Sequence, residues 1–339
     1  MARRSRTSLR LLLATLLLAL IPLGGWWTWV REGPLETETT VLVPRGTTVG
    51  ALAERLERQG VIRSAWVFKL WARQRRLQLI RGEYTFAART SLESVAGKLR
   101  RGEIHTTNLI ITPSMHAWSV QRRLKDFIPE ETFWKLWQSP HLAAAAGFPE
   151  APSLEGLLAP ATYKLHHALE PEEILLEMVT AFRNQVRPKL EGGVLSPYET
   201  LILASLAEKE TNLPAELPRV AGVYAQRLHI GMRLQCDPTS QYARWLSGDL
   251  RFTPPTPEDI HRLHPFNTYT TAGLPPTPIA IPGAAAVAAA HSPEISRDLY
   301  FVATGLGGHT FSKNLVEHNR NVDKFRKVVR QARIKQRHS

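Results

Sequence analysis

The sequence predicts an α+β protein with a single N-terminal transmembrane helix, a small strand–helix module after it, and a larger α+β domain beyond. Three observations predict this: an apolar run of about 20 residues close to the N-terminus, a strand–helix pattern that returns 43 positions later, and a long helical periodicity that gives way to short strands and loops rich in Pro and Gly. Hydrophobic residues make up 43% of the 339 and charged residues 22%, a composition that can bury a core and is not that of a disordered chain.

The apolar run extends from Leu11 to Val30, long enough to cross a bilayer as a helix. Arg3, Arg4, Arg6 and Arg10 precede it, and Trp26, Trp27 and Trp29 stand at its far end, where an aromatic belt belongs. A cleaved signal peptide would have a shorter apolar core ending in a small-x-small site, and no Ala-x-Ala is present. The expectation is an uncleaved single-pass anchor over 11–30. Residues 1–10 are then cytoplasmic, and everything after Arg31 is exported across the inner membrane.

The formal net charge is +13, and the two ends of the chain carry nearly all of it, in the arginines flanking the apolar run and in eight Lys or Arg after residue 319. The residues between are close to neutral. A nucleic-acid-binding domain needs a basic face on its folded body, so no nucleic-acid partner is expected. Cys236 is the single cysteine, which excludes an intrachain disulfide.

The small module is expected over 34–105. Thr39–Val43 reads as a strand, and Val49, Leu52, Ala53 and Leu56 share one face of a following helix. In the second copy Phe86, Leu92, Val95, Ala96 and Leu99 take the places of Val43, Val49, Leu52, Ala53 and Leu56. Thr90 and Glu93 are spaced as a capping box for the second helix. A weaker third copy starts at Ile111, with Val120 and Leu124 at the matching offsets. Between the first two copies, Ser64 to Arg73 forms an amphipathic helix expected to turn Trp66, Leu70 and Trp71 inward. Strand–helix units of this size resemble LysM-like modules, a resemblance that implies contact with N-acetylglucosamine-containing glycans. The alternative is a membrane-proximal spacer with a small core of its own.

The larger domain is expected over 106–333, with a short basic tail at 334–339. Residues 105–195 read mostly as helix, with Phe127, Phe133, Trp134 and Trp137 as core aromatics, and Leu154–Tyr163 as a turn and extended segment broken by Gly156 and Pro160. A further helix begins at Ser196-Pro197 and is limited by Pro214. It ends in Glu208-Lys-Glu210. The two glutamates lie about 200° apart on an ideal helix, so at most one faces a cleft while the other faces solvent or caps a neighbour.

The order of motifs after Leu203 resembles the endolytic murein transglycosylase (YceG-like) family. The matching stretches are Ala204–Thr211, Arg227–Thr239, Asn267–Pro276, Ile281–Gly283, Tyr300–Val302 and Gly307–Phe311, and the likeness covers nearly all of the chain after the anchor. It implies an anchored, LysM-bearing lyase of peptidoglycan glycan strands, with peptidoglycan synthases as partners. It also implies Glu208 as the catalytic acid/base. The sequence departs from the family pattern at Ala159, Ala161, Cys236 and Phe266.

Such an enzyme needs one carboxylic acid that changes role. It protonates the leaving glycosidic oxygen, then accepts the proton of the C6 hydroxyl of N-acetylmuramic acid as that oxygen closes on C1. A hydrolase instead needs a second carboxylate to handle water, for which Asp237 and Glu155 are the candidates. A third reading is a non-catalytic glycan-binding scaffold. Gln235, Asp237, Asn267 and Tyr269 are candidate substrate-binding residues, Asp237 being equally placed for an Asx-turn before Pro238; His309 and His318 read as structural. No His-Glu-x-x-His, P-loop or Gly-x-Ser-x-Gly pattern occurs, so neither metal nor cofactor is expected.

Overall fold

The computed structural model describes residues 31–251 and 253–337. The expected anchor and cytoplasmic N-terminus lie outside the described residues, among which no helix is long and apolar enough to cross a membrane. Helices and two-stranded sheets alternate along the chain, as an α+β reading requires. Contacts divide it into two units, one of residues up to Asn108 together with Lys164–Glu170, the other of Leu109–Tyr163 and everything from Pro171.

In the first unit the order is β1 (Thr39–Val43), α1 (Val49–Arg58), α2 (Ala65–Gln74), β2 (Gly82–Phe86) and α3 (Leu92–Arg101). The 43-residue repeat is real in space: β1 and β2 pair antiparallel, with Thr39 opposite Phe86 and Val43 opposite Gly82. Leu52, Ala53 and Leu56 of α1 and Leu92, Val95, Ala96 and Leu99 of α3 fill one core with Val41, Val43, Tyr84 and Phe86. Glu83 of β2 accepts hydrogen bonds from both the backbone N–H and the ring of His167, which fastens Lys164–Glu170 to this unit.

Two local expectations need correction. The cap of α3 is Ser91, whose side chain accepts from the Ser94 N–H at 3.2 Å; the helix starts at Leu92, one residue later than the Thr90–Glu93 spacing implied. In α2 the buried face is Ala65, Phe68 and Ala72, while Trp66 is 63% and Leu70 45% exposed and Trp71 is half-buried. Phe68 is buried between two alanines on the face of α2 that packs against α1.

The chain passes between the units along β3 (Thr107–Ile111) and β4 (Ala161–Leu165), which form a two-stranded sheet. The second unit opens with α4 (Ala117–Leu124), α5 (Glu130–Trp137) and α6 (Pro140–Ala146), and continues through α7 (Pro171–Gln185) and α8 (Pro197–Glu210). The weak third copy of the repeat is therefore also a strand and a helix, with Ile111, Val120 and Leu124 buried. Phe133 and Trp137 are core residues as expected, whereas Phe127 and Trp134 are only half-buried. Then come α9 (Leu217–His229), α10 (Asp237–Leu246), α11 (Pro257–His261), α12 (Ala284–His291), the hairpin β5 (Tyr300–Ala303) and β6 (His309–Ser312), and α13 (Leu315–Arg337).

The core of this unit lies around α8, which buries every residue from Thr200 to Ala207. It packs against α9 and α12. Alanines and one valine make up the buried face of α12, so the two helices approach closely.

The orientation of α2 has a direct test in urea unfolding. Phe68→Ala is expected to lower stability by about 3–5 kcal/mol, and Trp66→Ala to change it by less than about 0.5 kcal/mol.

Candidate active site

Helix α8 starts on a full capping box. Ser196 accepts from the Glu199 N–H, the Glu199 carboxylate accepts from the Ser196 N–H at 3.0 Å, and Pro197 occupies the first turn. The helix can bury eight consecutive residues because its backbone groups bond internally. At its far end Glu208, Lys209 and Glu210 emerge half-buried, and the expected angular separation sends the two glutamates to different neighbours.

Glu208 holds two loops. Its Oε1 accepts from the Ser114 hydroxyl at 3.0 Å and its Oε2 from the Gly283 N–H at 2.9 Å. Gly283 is the N-cap of α12, so Glu208 places a carboxylate at a helix N-terminus, where one of the free donors needs a partner. The approach is close: a Cβ at Gly283 would stand 3.1 Å from Pro113 and 3.2 Å from Glu208 Oε2, so a larger residue there would press on one or the other. Of the two fates expected for the pair, Glu208 takes that of capping a neighbour.

Glu210 faces a cavity of about 440 Å³ whose lining includes Arg227, Gln235, Asp237, Tyr269 and His309. Its carboxylate accepts from the Tyr224 hydroxyl at 2.5 Å. Burial pushes its pKa up from the ordinary carboxylate value, against the hydrogen bonds from Tyr224 and Cys236 and the nearby His309, while Asp237 pushes the same way as burial. A carboxyl drawn out of water, with its pKa raised, holds a proton more readily than an exposed one and so suits a group that must give a proton and take one back.

Three of the four expected binding residues share this cavity. Asp237 is the first residue of α10, and its Oδ1 accepts from the Tyr269 hydroxyl at 2.5 Å. Gln235 adopts the left-handed conformation, φ +50°, a strained backbone for a side chain of its size and one often found beside a site. Its N–H donates to the Thr268 carbonyl at 3.1 Å.

Asn267 requires a correction. It is fully buried and absent from the cavity wall. Its amide donates to the carbonyls of Asp259, Ile260 and Arg262 at 3.0, 3.1 and 2.8 Å, and its Oδ1 accepts from the Tyr269 N–H at 3.1 Å. Its side chain joins the end of α11 to the Tyr269 loop, so it holds Tyr269 in place rather than lining the cavity.

Several cavity residues escaped the sequence reading. Arg227 is buried, donates to the carbonyls of Leu299 and Leu234 at 2.6 Å each, and ties α9 to β5. His309, read as structural, lines the cavity. Its N–H and Nδ1 both meet the Glu216 carboxylate at 2.7 Å, which fixes the ring. Gly308 makes room for that carboxylate: its φ is +78°, and a Cβ would be 2.6 Å from Glu216 Oε1. The Gly307-Gly308-His309 sequence was the available signal.

Glu155 lies apart from this cavity lining. It is fully buried, and its Oε2 accepts from the Ala117 N–H at 3.0 Å and the Tyr242 hydroxyl at 2.8 Å, joining the starts of α4 and the middle of α10. Its Oε1 has no partner among the described residues. Burial pushes its pKa up to about 7, against the bonds from Ala117 and Tyr242 and the charge of Lys209.

Residues 41–324 match the model of the YceG-like family. The chain is 26% identical over 318 residues to the endolytic murein transglycosylase of Bacillus subtilis (strain 168), a likeness covering 87% of this chain and 86% of that protein. It is 27% identical over 346 residues to the endolytic murein transglycosylase of Streptococcus pneumoniae serotype 2, covering 90% of this chain and 63% of that longer protein. The crystal structure of a YceG-like protein from Listeria monocytogenes superposes with a TM-score of 0.56 at 28% identity, over 84% of this chain and 98% of that one.

Two outcomes follow for stability. Glu155 keeps its proton in the folded state up to about pH 7 and loses it near the ordinary value when unfolded. Its contribution is full below about pH 4.5, declines as pH rises, and is gone above about 7, a fall of up to about 3 kcal/mol. Urea unfolding at pH 5 and pH 8 should show this slope in the wild type and a flatter one in Glu155→Gln. Asn267→Ala should cost about 1–3 kcal/mol by the same measurement, because it removes the bonds that the buried amide makes to the Asp259, Ile260 and Arg262 carbonyls and to the Tyr269 N–H.

Proposed function

The chain belongs to the YceG-like family, and on that premise we propose that it is an endolytic transglycosylase of peptidoglycan, with Glu210 as the acid/base. The observation that carries the assignment is the cavity in which Glu210 meets Gln235, Asp237 and Tyr269. Glu208, the position implied by the family resemblance, has both carboxylate oxygens engaged by Ser114 and Gly283. Protein relatives over most of the chain that bear the name endolytic murein transglycosylase support the reaction class.

The chemistry requires one proton to travel out and back. Glu210, protonated, donates to the glycosidic oxygen as the bond from C1 of N-acetylmuramic acid breaks. The C6 oxygen then bonds to C1 and its hydroxyl proton passes to the Glu210 carboxylate, which leaves a 1,6-anhydro end and consumes no water. Tyr224 steadies the carboxyl through its 2.5 Å hydrogen bond. Asp237, held by Tyr269, supplies negative charge for the positive character that develops at C1. A cut inside a nascent strand ends its elongation, and peptidoglycan synthases are the partners such a cut implies.

The remaining assignments rest on the sequence. Leu11–Val30 anchors the chain in the inner membrane with the N-terminus in the cytoplasm, and the rest acts outside. The order β1-α1-α2-β2 with antiparallel strands supports reading the first unit as LysM-like.

Mass spectrometry of the fragments from uncrosslinked glycan strands tests the reaction and the residue together. The wild type should release ends carrying 1,6-anhydro-N-acetylmuramic acid, and Glu210→Gln should slow this by about 100- to 10,000-fold. Reducing ends would make the enzyme a hydrolase, with Asp237 as its second carboxylate. Loss of activity in Glu208→Gln beside an active Glu210→Gln would return the acid/base role to Glu208.

A further inference from the structure

The first unit presents a face that its own core does not use. From Val61 to Gly82 the chain carries six basic residues, Arg63, Lys69, Arg73, Arg75, Arg76 and Arg81, and no acidic one. Trp66, Leu70 and Ile80 in the same segment are 63%, 45% and 48% exposed. Arg73, Arg75 and Arg76 at the C-terminal end of α2 are exposed as well. A cavity of about 320 Å³ lined by Trp71, Arg75, Arg100, Arg101, Gly97 and Glu93 opens at that end.

This face lies next to the point at which the chain enters the unit. The apolar run ends at Val30, two residues before Glu32. The Glu32 carbonyl accepts from Arg63 Nε at 3.1 Å, and the Gly33 N–H donates to the Thr90 carbonyl at 2.9 Å. The entry point is thereby pinned one residue before Ser64, the N-cap of α2. All ten residues of α2 fall within about 15 Å along the helix from there. With the anchor proposed for Leu11–Val30, an exposed tryptophan and leucine are held at the level of the bilayer surface.

We propose that α2 docks on the membrane, with Trp66 and Leu70 entering the headgroup boundary and Arg73, Arg75 and Arg76 contacting anionic phospholipid headgroups. Trp66 and Leu70 share one face of α2, Arg73 stands two turns beyond Trp66 on that same face, and Arg75 and Arg76 follow at the helix end, so the apolar pair enters the lipid while the arginines at the C-terminal end reach the headgroups. Arginine suits phosphate because its fork donates two parallel hydrogen bonds. Docking removes the swing that a two-residue connection would otherwise allow and fixes the first unit against the bilayer. A glycan strand stacked on Trp66 is the competing occupant, but it offers no reason for the exposed Arg73, Arg75 and Arg76 beside the tryptophan.

The inference rests on the anchor and not on the identity of the acid/base, and one experiment keeps them apart. The full chain is reconstituted into vesicles of phosphatidylcholine, with or without phosphatidylglycerol, containing brominated acyl chains. Resistance to alkaline carbonate extraction reads the anchor, and the fluorescence difference between wild type and Trp66→Phe reads Trp66. The expected result is an inserted protein whose Trp66 signal is quenched by bromine in the anionic vesicles. Combined Arg73→Gln, Arg75→Gln and Arg76→Gln should lower the docked-to-free ratio on the order of 100-fold, and high salt should weaken docking in the wild type. Unchanged quenching in the triple variant, or an inserted protein whose Trp66 is unquenched in both lipids, would overturn docking. So would a Trp66 signal that responds only when glycan strands are added, which would assign the face to glycan. Extraction by carbonate would remove the anchor and docking with it, leaving the cleavage reaction untouched.

Discussion

A helix buried on all sides must still finish somewhere, and much of the second unit is arranged around how α8 does so. Eight consecutive residues of α8 are out of contact with water, after which Glu208, Lys209 and Glu210 follow within a single turn. Charged groups at the edge of a core need partners or a route to solvent. Glu208 finds donors at Ser114 and Gly283, and Glu210 finds Tyr224 and an open cavity. The Gly283 turn, the start of α12 and the loop at Ser114 are positioned by the first solution; α9 and the cavity floor are positioned by the second.

The cavity illustrates how a small number of rigid loops can replace a large site. Arg227 pins β5 and the Leu234 segment to α9 through backbone carbonyls. Asn267 joins the end of α11 to the loop that carries Tyr269, its amide donating to the first and its Oδ1 accepting from the second. Glu216 fixes His309 from both its N–H and its ring. None of these three contacts is made by the proposed acid/base, yet each limits where a group facing Glu210 can move, and such preorganisation is what a reacting group requires.

Periodicity was a reliable guide wherever one face of an element had to be buried. The 43-residue repeat, the boundaries of β1 and α1, and the span of α8 from Ser196 to Glu210 are all legible from spacing and caps, and even the faint third copy becomes β3 and α4. The same reasoning misassigned α2, because Trp66 and Phe68 both lie on apolar-looking arcs and area alone favours the tryptophan. In the fold the buried face is the one on which Phe68 stands between Ala65 and Ala72, and Trp66 lies outside it.

The sequence by itself determined the repeat of the first unit, helix α8, the restriction to one or other glutamate facing a cleft, and the family motifs, because helical and strand periods, capping spacings and motif order are local properties of the chain. Which glutamate faces the cavity was decided only by tertiary structure. Two positions 200° apart on a helix are equivalent until neighbours arrive, and those neighbours come from far along the chain: Ser114 and Gly283 on one side, Tyr224, Asp237, Tyr269 and His309 on the other. The demotion of Asn267 to a loop clamp and the promotion of His309 to the cavity wall have the same cause. A side chain's role depends on which donors and acceptors reach it first, and no sequence spacing records that.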